Sequence, residues 1–117
     1  MDLNQAIQAH GEWKMKFRIA INKQENMDVG TISADNCCML GKWLYGEART
    51  QFGKLDSHAN CLAKHAVFHQ EAGKVAQAIN AKRFGEAENM LNGDSTYNRA
   101  SNAVAAAIMT LKREAHL

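Results

Sequence analysis

The sequence predicts an all-α fold, an antiparallel four-helix bundle with an additional short helix before the last long one. Three observations carry this. The 117 residues contain no proline, the residue that most reliably breaks a helix. Apolar residues are 46% of the chain and recur mostly three or four apart, the period of a helix with one face turned inward. The interruptions between periodic stretches are short, which makes successive helices antiparallel neighbours.

The elements follow in order. Residues 2–26 read as a first helix, with Leu3, Ile7, His10, Phe17 and Ile21 on one side and Ala6, Trp13 and Ala20 alongside. "NMDVGT" (26–31) breaks the pattern and reads as a loop. "TISADNCCMLGKWLYGEA" then opens a second helix, capped by Ser33 or Asp35, whose oxygens can accept from the unpaired N–H groups of a first turn. "RTQFGK" (49–54) is the next break. A third helix covers roughly 55–81 with the stripe His58, Leu62, His65, His69, Ala72, Ala76 and Ile79. A short piece at 83–91 follows, then "NGDS" (92–95), where Asp94 or Ser95 suits a cap. The last helix is 96–115, with Tyr97, Ser101, Val104, Ile108 and Leu111 inward. No repeat, low-complexity tract or linker divides the chain, so 1–117 reads as a single domain.

Composition excludes several classes of function. A net charge of +2, without clustered Lys and Arg, is no nucleic-acid footprint. No apolar run approaches the ~20 residues that span a bilayer, so no membrane partner is expected. The N-terminus is polar and amphipathic, unlike a signal peptide. Three cysteines, two of them adjacent (Cys37 and Cys38), do not form a disulfide framework. A reducing, cytoplasmic setting is expected.

The inward faces carry chemistry that a plain bundle would not choose. His10 lies on the first seam, Cys38 on or near the second, and His65 and His69 one turn apart on the third. Buried imidazoles need their ring nitrogens satisfied. Two readings are open at this point: hydrogen-bonded core histidines beside a small buried thiol, or a metal site. Three His and one Cys supply the ligand types and the tetrahedral number that zinc takes.

The segments "AHGEWK" (9–14), "CMLGKWLYG" (38–46) and "HAVFH" (65–69) together resemble the bacterial chemoreceptor zinc-binding domain family. The family's pattern is a His before a Trp on the first helix, a Cys-Gly-Trp motif on the second and a His pair on the third. The resemblance runs over nearly the whole chain. It implies a cytosolic helical zinc sensor holding Zn2+ through His10, Cys38, His65 and His69. It also implies a homodimer, and a partner that is a chemoreceptor signalling domain or a diguanylate cyclase. The chain itself carries neither, so it reads as a standalone member or a domain of a longer protein. The output would be chemotactic or of the cyclic-di-GMP type, and the signal either the zinc level or oxidation of the Cys38 thiolate, which is nucleophilic. Four protein ligands leave no open position for a substrate water and no general base stands out, so an enzyme is not expected and no catalytic residue is assigned. The competing reading is a structural dimerisation bundle in which metal serves stability alone.

The neighbours of the four candidates have plainer expectations. Cys37, turned about 100° from Cys38 on a helix, should be a packed small side chain. Cys61, one turn before His65, should be buried and inert, or else a fifth candidate ligand or a resolving thiol. His58 should sit at the bundle end and His116 in solvent. Trp13 and Trp43 should cover the site, and Gly41 should admit the third helix or the metal. Asp35 should cap a helix, or else accept from a ligand histidine.

Overall fold

The computed structural model describes residues 1–117 as eight helices and no strand. They are α1 (Leu3–Gly11), α2 (Trp13–Lys23), α3 (Val29–Ser33), α4 (Met39–Tyr45), α5 (Glu47–Phe52), α6 (Asp56–Asn80), α7 (Phe84–Met90) and α8 (Thr96–Glu114). No helix is long and apolar enough to cross a membrane.

The helix α6 is the spine. Its 25 residues extend about 37 Å at 1.5 Å per residue, most of the molecule's 43 Å long axis. It packs along α8, and also receives α2, α3, α4, α5 and α7. Small residues allow the close approach, with Ala72, Ala76 and Ala78 buried on α6 and Ala100 and Ala107 on α8. Between them Val75, Ile79, Val104, Ile108 and Leu111 are fully or almost fully shielded from water, and area burial of this kind is the main source of stability. At one end Tyr97 receives Phe17 and Phe68 at ring-centre distances of 5.8 and 5.7 Å.

The expected first helix is present as α1 and α2. Glu12 between them keeps right-handed helical angles, and its N–H still donates to the Gln8 carbonyl. The chain leaves α2 through Gln24, whose φ of 55° is left-handed. The side chain of Asn80 then ties the following turn to the end of α6, accepting from the Met27 N–H at 2.7 Å and donating to the Met27 carbonyl at 2.8 Å.

The expected loop over 26–31, the expected continuous second helix and the expected break over 49–54, most of which lies in α5, are all corrected. Asp28 accepts from the Thr31 N–H and caps the short helix α3, which ends at Ser33. Residues 34–38 are irregular, and helix resumes at Met39. Ser33 therefore closes one helix, and the Cys38 sulfur takes the capping position of the next, accepting from the Gly41 N–H at 3.3 Å. Gly73 on α6 makes room for α3, since a Cβ there would overlap the Ser33 side chain. The expected third helix, short piece and last helix appear as α6, α7 and α8. Ser95 caps α8 by accepting from the Asn98 N–H, while Asp94 pairs with Arg99.

Candidate metal centre

Three segments meet at one buried point. His10 comes from the last turn of α1, Cys38 from the start of α4, and His65 and His69 from the middle of α6. Their ligand atoms all lie within 4.8 Å of one another. The Nε2 atom of His65 is 3.1 Å from that of His10, 3.0 Å from that of His69 and 3.3 Å from the Cys38 sulfur. The sulfur lies 3.6 Å from His69 Nε2 and 4.0 Å from His10 Nε2. A tetrahedral zinc with ordinary Zn–N and Zn–S bonds has ligand–ligand edges of about 3.3–3.6 Å. The observed edges bracket that range.

The far sides of two rings decide what the near sides can do. His10 Nδ1 lies 2.7 Å from the Ala6 carbonyl, and His69 Nδ1 lies 2.8 Å from the Ile32 carbonyl. A carbonyl oxygen only accepts, so each Nδ1 carries the hydrogen. Burial keeps both rings neutral: desolvation is the largest influence and holds His10 and His69 below the usual histidine range. Neutral rings protonated at Nδ1 present lone pairs at Nε2, and both lone pairs face the same small volume. His65 is fully buried. Burial, with His69 and His10 beside it, takes its pKa down to about 3. Its one Nε2 cannot satisfy two lone pairs and a sulfur at once, and its Nδ1 has no partner. Convergent lone pairs of this sort suit a cation, and three imidazole nitrogens with a thiol are a donor set fitted to zinc.

Cys38 differs from the histidines. It is half-buried, on backbone with φ −88° and ψ 163°. Burial pushes its thiol pKa up, against the opposing N–H groups of Gly41 and Leu40. A coordinated divalent cation reverses that balance, since a ligating thiol is deprotonated. Cys38 and His10 also line a cleft of about 490 Å³ with Met39, Leu40, Trp43 and Glu47, so the sulfur side of the cluster faces an opening. The buried ring of Phe68 packs against the cluster, meeting His10 and His69 edge-on at 5.2 and 5.5 Å.

The neighbouring residues separate into those placed as expected and those not. Cys61 is buried, His116 is exposed and Trp43 lines the cleft beside the cluster. Trp13 instead packs on Phe17 at 5.5 Å. Cys37 is exposed rather than packed, because residues 34–38 are not helical. Gly41 admits neither the third helix nor a ligand: a Cβ there would overlap the Asp35 carbonyl, so it accommodates the preceding loop. The side chain of Asp35 neither caps a helix nor meets a histidine; it accepts from the Tyr45 hydroxyl. His58 lies in the first turn of α6, near the end of that helix as expected, and is buried there with Nε2 donating to the Leu44 carbonyl at 2.9 Å. The two groups that orient the rings, the Ala6 and Ile32 carbonyls, carry no side-chain signal and could be found only from three-dimensional placement.

A family model described as the chemoreceptor zinc-binding domain matches residues 10–76, more than half of the chain. Neither the comparison with curated proteins nor that with solved structures gave a match. The matched span begins at His10 and includes Cys38, His65 and His69.

Proposed function

The chain belongs to the chemoreceptor zinc-binding domain family, and from that premise we propose that His10, Cys38, His65 and His69 hold one Zn2+ as the sensing element of a signalling domain spanning residues 1–117. The observation that carries this is the pair of forced tautomers. His10 and His69 each spend their N–H on a backbone carbonyl and aim a lone pair at a common centre beside His65 and a thiol. Bound zinc supplies a tie between three segments and a counter-charge for the Cys38 thiolate. The histidines set the geometry, and Cys38 supplies the removable fourth contact. Filling four positions with protein donors leaves none for a reacting water, so the domain reports rather than catalyses.

The reported signal is zinc availability, with occupancy biasing how α1, the 34–38 segment and α6 are held together. A second reading, oxidant sensing, is favoured by the cleft at Cys38. A peroxide entering there would be attacked by the Cys38 thiolate, forming an S–O bond, breaking the O–O bond and releasing hydroxide, which leaves a sulfenic acid. The setting for either reading is a cytoplasmic homodimer coupled to a chemoreceptor signalling domain or a diguanylate cyclase.

Metal analysis of protein purified without added zinc tests the assignment. The expected result is near-stoichiometric zinc in the wild type and strongly reduced zinc in Cys38→Ala and His65→Ala. Equal zinc in all three would overturn it. Zinc that raises the melting temperature while leaving the output of an attached signalling region unchanged would favour the purely structural dimerisation bundle. Titration with competing chelators, with and without peroxide, separates the two signals.

A further inference from the structure

We propose that Tyr45 and Asp35 form a latch that sets the position of the Cys38 sulfur, which makes both positioning residues for the metal cluster. This rests on the reading of Cys38 as a ligand. The segment that delivers the sulfur, residues 34–38, lacks the means to hold itself. None of the N–H groups of Asp35, Asn36, Cys37 and Cys38 donates to a backbone carbonyl. Backbone bonds hold only the segment's two ends, where the Ala34 N–H donates to the Thr31 carbonyl and the Cys38 carbonyl accepts from the Lys42 N–H, so side chains or packing must fix the stretch between.

Two contacts of Asp35 with α4 fix that stretch. The Asp35 carbonyl lies in the space left by the missing side chain of Gly41, so closely that any Cβ would overlap it. The Asp35 carboxylate accepts a hydrogen bond from the Tyr45 hydroxyl, ten residues on and at the last turn of α4. The Arg49 guanidinium covers the Tyr45 ring at 5.4 Å, which restrains the ring that carries the hydroxyl. The loop is thus fastened at both ends of α4, by the Gly41 N–H to the Cys38 sulfur near its start and by the latch near its finish. The His ligands need no such help, because they project from continuous helix.

The Asp35 charge is also felt at Cys38 and His69, so the test must separate charge from tether. Tyr45→Phe deletes only the hydroxyl, on a residue that is 40% exposed. Asp35→Ala deletes both the acceptor and the charge. Asp35→Asn deletes the charge but keeps an oxygen that can accept from Tyr45. The full chain, carrying Cys37→Ser to silence the exposed thiol, is loaded with Co2+. Two quantities are read: the thiolate-to-cobalt charge-transfer band, and the alkylation rate of Cys38 mapped by mass. Losing the hydrogen bond that orders the sulfur, whether or not its acceptor is charged, should weaken the band and raise the alkylation rate about fivefold in Tyr45→Phe and Asp35→Ala. Asp35→Asn should behave like the parent. An unchanged Tyr45→Phe, or an Asp35→Asn that matches Asp35→Ala, would overturn the latch. Absence of the band in the parent protein would instead overturn Cys38 as a ligand, and the latch with it.

Discussion

The two halves of the donor cluster are built by opposite means. His65 and His69 sit one turn apart on a 25-residue helix that packs against most of the molecule, and both are almost wholly buried. Cys38 sits at the junction of an irregular segment and a seven-residue helix, half-buried and facing a cleft. The histidine side is positioned by cooperative helix formation and core packing, which resist local opening. The cysteine side is positioned by a few discrete contacts. Under the proposed function a sensor gains from this asymmetry, because the fixed donors would keep the site formed while the half-buried thiol is the donor free to leave.

The largest expected effect comes from the rigid side. His65 is within 3.0–3.3 Å of all three other donor atoms, so His65→Ala removes the hub. Structural zinc sites contribute ~10–16 kcal/mol in total, and losing one of four ligands should lower affinity by about two to three powers of ten. A competition titration of His65→Ala beside Cys38→Ala measures this, and a His65→Ala loss below tenfold, or no larger than that of Cys38→Ala, would break the contrast between the two halves.

Next in size is metal removal. A ligand at a thousand times its Kd stabilises by about 4 kcal/mol, which for a domain of this length is roughly 15 °C in melting temperature. The loss should not be uniform. Amide exchange should quicken first over residues 34–46 and last in the centre of α6. Uniform quickening would erase the proposed difference between the two halves.

Between pH 7 and 5, acid acts on the histidine side of the cluster in the metal-free protein. The three histidines have folded-state pKa values below the unfolded value of about 6.5, with His65 at about 3. Between those values the unfolded chain binds more protons than the folded one, so stability rises with pH there. Urea midpoints should be level above pH 7 and fall progressively as pH drops below about 6.5. A flat profile between pH 7 and 5 would contradict neutral, buried rings. The smallest effect belongs to Cys37. Cys37→Ser should change stability by less than about 0.5 kcal/mol, as surface substitutions do, and leave zinc content intact. A large loss would mean that the exposed thiol shares the ligand role.

The same asymmetry governs what could be read from the sequence. The histidine half was legible because helical periodicity is a strong signal over long stretches: an expected helix over 55–81 is observed as Asp56–Asn80, and His10, His65 and His69 face inward as their spacing requires. The region around Cys38 was not, because short helices leave little periodicity to detect. Ser33 and Asp35 resemble caps, yet the capping acceptor is a cysteine sulfur, a residue outside the usual capping set. Reading the segment as one helix misplaced Cys37, Gly41 and Asp35 together. Because residues 34–38 are irregular, Cys37 is exposed, Gly41 faces the loop and Asp35 bonds Tyr45. The hydrogen bond of His58 was illegible for another reason: its partner is the backbone carbonyl of Leu44, which no side-chain pattern announces.

X-ray absorption at the zinc edge of the protein loaded with one equivalent of zinc tests the central claim most directly. Three nitrogen scatterers at about 2.0–2.1 Å and one sulfur at about 2.3 Å are predicted. The sulfur shell should disappear in Cys38→Ala and persist in Cys37→Ser. A first shell without sulfur in the wild type, or with two sulfurs, would contradict a centre made of His10, Cys38, His65 and His69.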